Sequence, residues 1–297
     1  MTRFLDVRLS PVGGNLAASV SMYQGTTIDD YKSLDKAQLI GDIRGRNVLI
    51  GTHGFHVDRA SGIACLSNWE GLLQLAPLQL APPAVFVGLL WPGDSVWAHG
   101  LDYPDEPKIA NEAGDLIAPF LDDNFADAAS ISFASHSLGA RVALETISKM
   151  SLPVRRTTLM AGAIDDNCLN TEFKAVAAKT KIGEISVVAS KKDEVLSALF
   201  PLGNLLGGII GEGHPWWHAA LGHCGPSNPK PDNFRPPYEL PDSWDFGHHN
   251  YLQVDPPPSP FIAGPTDIPA KGAAPPANGA RGWQEAWSAA FCSTRFR

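Results

Sequence analysis

Short apolar runs alternate along the chain with longer stretches of helical periodicity. Seven runs are rich in β-branched and apolar residues: "FLDVRL", "ASVSMY", "NVLIGT", "VFVGLLW", "ISFAS", "RTTLMA" and "EISVVAS". From the third onward they are near-continuous rather than alternating, as expected for strands buried on both faces of a parallel sheet. Between them, "EPKIANEAGDLIAPFLDD" sets Ile109, Ala113, Ile117 and Leu121 on one stripe at steps of four. "SLGARVALETISKM" sets Leu138 and Val142 four apart, with Ile147 five further on. Strand and helix therefore alternate, which predicts an α/β domain built on a doubly wound, mostly parallel sheet. The 297 residues suit one such domain spanning 1–297.

Two regions break the alternation. Residues 195–231 are apolar and Gly-rich, then become "GEGHPWWHAALGHCGPSNPKP". They are expected as a lid or insertion before the histidine segment, with Trp216 and Trp217 beside glycines. Core packing, a dimer contact and a plain surface loop are the competing expectations. Residues 255–281 are rich in Pro, Ala and Gly and are expected to form an irregular loop. "GWQEAWSAAFCSTRF" then reads as a closing helix.

The stretch "ISFASHSLGARVALETI" runs a buried strand into Ser135-His136-Ser137-Leu138-Gly139 and at once into a helix. A small-x-Ser-x-Gly turn in that context is what a nucleophile elbow requires. The sharp turn pushes the serine Oγ out of the sheet, and small residues two before and two after let strand and helix pass closely. The helix N-terminus offers N–H groups to a developing negative charge. The pentapeptide by itself is weak; its position between strand and helix gives it weight. A plain small-residue turn is the alternative.

"NVLIGTHGFHVD" is a strand ending in His53-Gly54-Phe55. Such a loop supplies one backbone N–H of an oxyanion hole, here Phe55, and the residue after the nucleophile, Leu138, supplies the other. Gly54 would let backbone approach the substrate closely. The alternative is a strand-end turn with a core histidine. An acid should follow a later strand. "EISVVASKKDEVL" puts Asp193 there, with Asp165 and Asp166 of "AGAIDDN" as rivals. The base should lie further on, and "DSWDFGHHNYL" offers His248, preferred, and His249 as alternative. Trp91, with Trp97, is expected to wall the cleft or to be plain core. His136 is expected to contact substrate alongside Gly54.

Charge and composition narrow the classes. A net charge of −8 argues against nucleic acid or an anionic membrane as the main partner. No run has 18 uninterrupted apolar residues, so no membrane span is expected, and "MTRFLDVRLS" does not read as a signal peptide. Cys65, Cys168, Cys224 and Cys292 form no C-x-x-C pair and are expected as free thiols in the cytoplasm, with one disulfide as the alternative. His214, His218 and His223 with Cys224 match no zinc spacing, and surface histidines are the better expectation. No metal and no cofactor are expected.

In order along the chain, "THGFHV", "LLWPGDS", "LDYPDE" and "ASHSLGARV", with a weaker echo at "GHHNYL", resemble the α/β-hydrolase superfamily of esterases and lipases. The resemblance is strongest to a bacterial branch of uncharacterised hydrolases and runs from about residue 45 to about residue 200. It implies a nucleophile at Ser137, an oxyanion loop at Gly54 and Phe55, an acid at Asp193 and a base at His248 or His249. It implies ester cleavage through an acyl-enzyme on a small-molecule or lipid-like substrate. An acyltransferase with the same triad and a non-catalytic binding protein on the same scaffold are the alternatives. The sequence departs from the branch at Gly93-Asp94-Ser95, where serine and glycine often follow the Trp-Pro pair. The stretch 197–247 is also longer than usual.

Overall fold

Apolar runs long enough to be buried on two faces need neighbours that satisfy their backbone and helices that cover their side chains. The computed structural model describes residues 1–13, 15–75, 84–94, 106–197, 218–236, 239–242 and 245–251. Its elements are β1 (Thr2–Arg8), β2 (Leu16–Gly25), β3 (Lys32–Ser33), α1 (Lys36–Ile43), β4 (Asn47–Thr52), α2 (Arg59–Leu75), β5 (Ala84–Leu90), α3 (Glu106–Asn124), β6 (Ser130–His136), α4 (Gly139–Lys149), β7 (Val154–Met160), β8 (Ile182–Val188) and β9 (Phe234–Arg235). All seven apolar runs are strands. The expected closing helix and the 255–281 loop lie outside the described residues, as do 198–217 of the expected lid.

The strands form one sheet in the order β3-β2-β1-β5-β4-β6-β7-β8-β9. The β3-β2-β1 edge is antiparallel, and every pairing from β1–β5 onward is parallel. This accounts for the change of pattern along the sequence. The antiparallel β2 is half-exposed along most of its length, whereas β5 is buried after its first residue.

Chain order fixes the helix layers. The β4-α2-β5 crossover runs one way along the sheet, while β5-α3-β6 and β6-α4-β7 run the other. Right-handed crossovers in opposite directions place α2 on one face and α3 and α4 on the other. Consistently, α3 and α4 pack on each other, and Lys36 at the start of α1 lies 6.0 Å from the Phe120 ring of α3. The predicted stripes face the core: Ala113, Ile117, Leu121, Leu138, Val142 and Ile147 are buried.

α1 and α2 are absent from the sequence expectation. Gly62 and Gly71 dilute the helical signal of α2. Its start was nonetheless marked: the Asp58 carboxylate accepts from Ser61 N at 2.7 Å, and Ile63, Leu66 and Trp69 follow on the buried face.

The direction reversal falls between β4 and β6, and open α/β sheets bind ligands at the carboxyl ends of strands at such a point. Gly51-Thr52 of β4 and Ala134-Ser135 of β6 are in register there, so His53-Gly54 and His136-Ser137 leave the sheet side by side.

Candidate active site

Ser137 follows β6 directly and has a left-handed backbone, with φ of 53°. A non-glycine residue in this region costs about 1–2 kcal/mol, and the surroundings must hold it. They do: Ser137 N–H donates to the Met160 carbonyl at 2.9 Å, and its own carbonyl accepts from Ala140 and Ala163, both at 3.1 Å. The elbow is thereby tied to the end of β7 and to the first turn of α4.

Two glycines let the backbones converge. A Cβ on Gly139 would lie 2.3 Å from the His53 carbonyl oxygen, and one on Gly54 would lie 2.7 Å from Ser137 Cβ. Gly139→Ala should therefore cost about 1–3 kcal/mol, because its obstacle is backbone and not the end of a flexible side chain. Urea denaturation checks this; an unchanged midpoint would contradict the close approach. Leu138 is the N-cap of α4, at the end of the helix where N–H groups precede the intrahelical ladder.

The candidate base and acid arrive from far along the chain. His248 Nδ1 lies 2.7 Å from Asp193 Oδ2, and His248 Nε2 lies 3.0 Å from Ser137 Oγ. Ser137 is 6% exposed, His248 8% and Asp193 0%. Asp193 follows β8; its other oxygen, Oδ1, accepts from Leu196 N at 2.9 Å, so both carboxylate oxygens are engaged. With the acid accepting at Nδ1, the proton of a neutral His248 sits there, and Nε2 is left to accept from Ser137. His248 rides on a single 3-10 turn, His248–Asn250, in which Gly247 N–H donates to Asn250 Oδ1 at 2.8 Å. His249, the alternative base, is exposed and meets the His248 ring at 86° with centroids 5.5 Å apart.

The loop after β4 is built from a buried histidine and a buried arginine. His53 Nδ1 lies 2.9 Å from the Gly54 carbonyl, and His53 Nε2 faces Trp91 N at 3.4 Å, so the Nδ1–H tautomer satisfies both. Burial holds the His53 imidazole down at about 3. Its unfolded value is near 6.5. Between these values the unfolded chain binds more protons than the folded one, so stability falls as pH falls through the window. His53 alone should make the protein about 2 kcal/mol less stable at pH 5 than at pH 7. Denaturation midpoints at the two pH values check this, and the slope should shrink in His53→Asn.

Trp91 sits in the core, one of the two places expected for it. It is fully buried, its ring lies near-parallel to His53, and its indole N–H donates to the His53 carbonyl at 2.9 Å. It braces the loop that carries Gly54 and Phe55. Trp97 lies outside the described residues. The Arg8 guanidinium donates to the carbonyls of Val57 at 3.0 Å and Trp91 at 2.8 Å and pairs with Asp94. Asp94 Oδ2 also accepts from Gly13 N at 3.1 Å. One buried cation thus laces together the loops after β1, β4 and β5, which gives Asp94 a structural reason to stand after the Trp-Pro pair.

His136, expected to touch substrate, puts Nε2 2.9 Å from the His248 carbonyl. The rival acid Asp166 is taken by His218, whose Nδ1 lies 3.1 Å away and whose Nε2 receives Asn167 Nδ2 at 2.9 Å. Those contacts clasp residue 218 to the loop after β7. Among the described residues no group of three His, Cys, Asp or Glu side chains is placed to hold a metal ion. His214 is outside them. Cys65 and Cys168 are buried and Cys224 is exposed. No helix among the described residues is long and apolar enough to cross a membrane. Sequence reasoning overlooked the Leu196 amide and the Asn250 cap. Asn250, two residues after His248, was the readable sign of a capped turn.

No family model matches the chain, and neither does any curated protein. Among solved structures, an uncharacterized protein from Bacillus cereus ATCC 10987 is 18% identical at a TM-score of 0.36, over 56% of this chain and 47% of that one. The chain thus spans about half the length of that protein. Carboxyl esterase 2 from the mycorrhizal fungus Tuber melanosporum is 12% identical at a TM-score of 0.31, over 70% of this chain and 77% of that one. A prolyl endopeptidase is 12% identical at a TM-score of 0.32, over 76% of this chain and 35% of that one. The last two are hydrolases, but at these scores the likenesses carry no weight in assigning a fold or a reaction.

Proposed function

We propose that the chain is a serine hydrolase of the α/β-hydrolase fold that cleaves carboxylic esters through Ser137, His248 and Asp193. The observation that supports this best is the continuous hydrogen-bonded chain from Asp193 through His248 to Ser137 Oγ, standing at the sheet's switch point. Three residues distant in sequence do not converge in that geometry, with the serine on a left-handed elbow, for packing reasons alone. The strand order also fits: in the parallel run β1-β5-β4-β6-β7-β8-β9 the serine follows the middle strand, β6, and the acid follows β8, two strands further on.

In the proposed reaction His248 Nε2 accepts the Ser137 proton as Oγ attacks the ester carbonyl. The amides of Leu138 and Phe55 hold the tetrahedral oxyanion, and Asp193 stabilises the imidazolium. The imidazolium then protonates the leaving alkoxide oxygen, and the C–O bond breaks to leave an acyl-Ser137 ester. Water, deprotonated by His248, adds to that ester; collapse returns the proton to Oγ and releases the acid. Loss of one oxyanion donor in such a site costs about 10²–10³ in rate.

Hydrolysis of p-nitrophenyl esters of graded acyl length tests the reading. Turnover by the wild type, lost in a folded Ser137→Ala variant, is the expected result. Equal turnover by both proteins would overturn it. Adding a competing alcohol separates acyl transfer from hydrolysis by product ratio.

A further inference from the structure

His248 depends on a weak local element. A 3-10 turn of three residues has poor hydrogen-bond geometry and no length to stabilise it. Asn250 ties its start through Gly247, with Asn250 N donating to the Gly247 carbonyl at 3.1 Å and Gly247 N to Asn250 Oδ1. The Asp193 contact fixes the His248 ring but not the backbone that carries it. That backbone is held at the His248 carbonyl, by the imidazole of His136 at 2.9 Å.

His136 is suited to the task. It is the last residue of β6, in register with Met160 of β7, and it immediately precedes Ser137. Its ring is fixed from three sides: against His248 with centroids at 4.8 Å, against Tyr251 at 5.8 Å, and against Gly54, where an added Cβ would lie 3.2 Å from His136 Nδ1. Desolvation among protein atoms, then the neighbouring His248, holds the His136 imidazole well below the ordinary histidine range, so it is neutral. A neutral ring has one N–H, and a carbonyl can only accept, so the proton is on Nε2.

Resting on the serine-hydrolase reading, we infer that His136 is a positioning residue: its Nε2–H, anchored on the nucleophile's own strand, holds the His248 carbonyl and thereby sets the distance from the base to Ser137. One imidazole makes the spacing of nucleophile and base a property of a single rigid strand. Supporting contacts of this kind decide whether a site is held to a fraction of an ångström. A displacement of about 1 Å costs roughly 10² in rate.

The test compares His136→Phe, which keeps a ring and removes the donor, with His136→Gln, which restores an N–H donor. The readouts are kcat and KM for a p-nitrophenyl ester, the rate of fluorophosphonate labelling, and the His248 Nδ1–H proton resonance. The expected result is a loss of about 10–100-fold in kcat and labelling rate for His136→Phe, with KM within about threefold. The Nδ1–H resonance should move or broaden, and all readouts should return toward wild type in His136→Gln. Should the phenylalanine variant fail to fold, His136→Met, also without a donor, replaces it on the same scale. A donor-free variant within about threefold of wild type would overturn the inference, as would glutamine and phenylalanine variants equally impaired. Failure of the wild type to label would sink the serine-hydrolase reading instead, and the Nδ1–H resonance would still decide whether His136 positions His248.

Discussion

Asp193→Asn is expected to lower kcat by about 10⁴-fold while leaving the folded structure intact. The substitution is isosteric, so packing around this fully buried side chain is preserved. The chemistry is not. Leu196 N–H donates to Oδ1, so the asparagine oxygen must take that position. Its NH₂ group then replaces Oδ2 and faces His248 Nδ1. Two donors cannot share that contact, so His248 shifts its proton to Nε2. A protonated Nε2 can donate to Ser137 Oγ but cannot accept from it, and the general base is lost along with stabilisation of the imidazolium. A variant with an unchanged denaturation midpoint and wild-type kcat would contradict this polarity of the chain.

The second large effect separates two adjacent histidines. His248→Ala should lower kcat by about 10⁴-fold or more, since no other group lies within hydrogen-bond reach of both Asp193 and Ser137 among the described residues. His249→Ala should leave kcat within about threefold, under about 0.7 kcal/mol in the barrier, because His249 is exposed and meets His248 only edge-on. Steady-state kinetics on both variants decide it. The reverse ranking would require the 3-10 turn to rotate by one residue.

Much of the fold was written in the hydrophobic pattern. The runs from "NVLIGT" onward carry apolar residues on both sides because strands β4 to β8 are covered on both faces, and each became a strand of the parallel region. The helix α2 was hidden because glycines interrupt its stripe: Gly62 packs on Leu90, whose Cδ2 would lie 2.7 Å from an added Cβ and would have to shift. A packing demand there overrode the local helical signal.

Legibility of the site followed chemistry more than geometry. Ser137, Asp193 and His248 could be nominated from strand ends and chain order. Asp166 and Asp193, however, both follow strands, and only the fold shows that Asp166 is clasped by His218 while Asp193 faces His248. For Trp91 and His136 the sequence left the role open for a common reason. Each is an amphipathic side chain near a cleft, and sequence does not tell whether its N–H is aimed at a ligand or at a backbone carbonyl. In both cases a carbonyl takes it, His53 for Trp91 and His248 for His136. Arg8, remote in sequence from every motif, is the cation that ties the loops after β1, β4 and β5 together.

The most direct test of the central claim is covalent labelling with a fluorophosphonate, read by intact mass and peptide mapping. An unactivated serine does not react with such a probe at useful rates, whereas a serine deprotonated by a positioned imidazole does. The account predicts a single adduct on Ser137, absent in Ser137→Ala and in His248→Ala and retained in His249→Ala. Folded wild-type protein that acquires no adduct, or acquires it on a different residue, would contradict it.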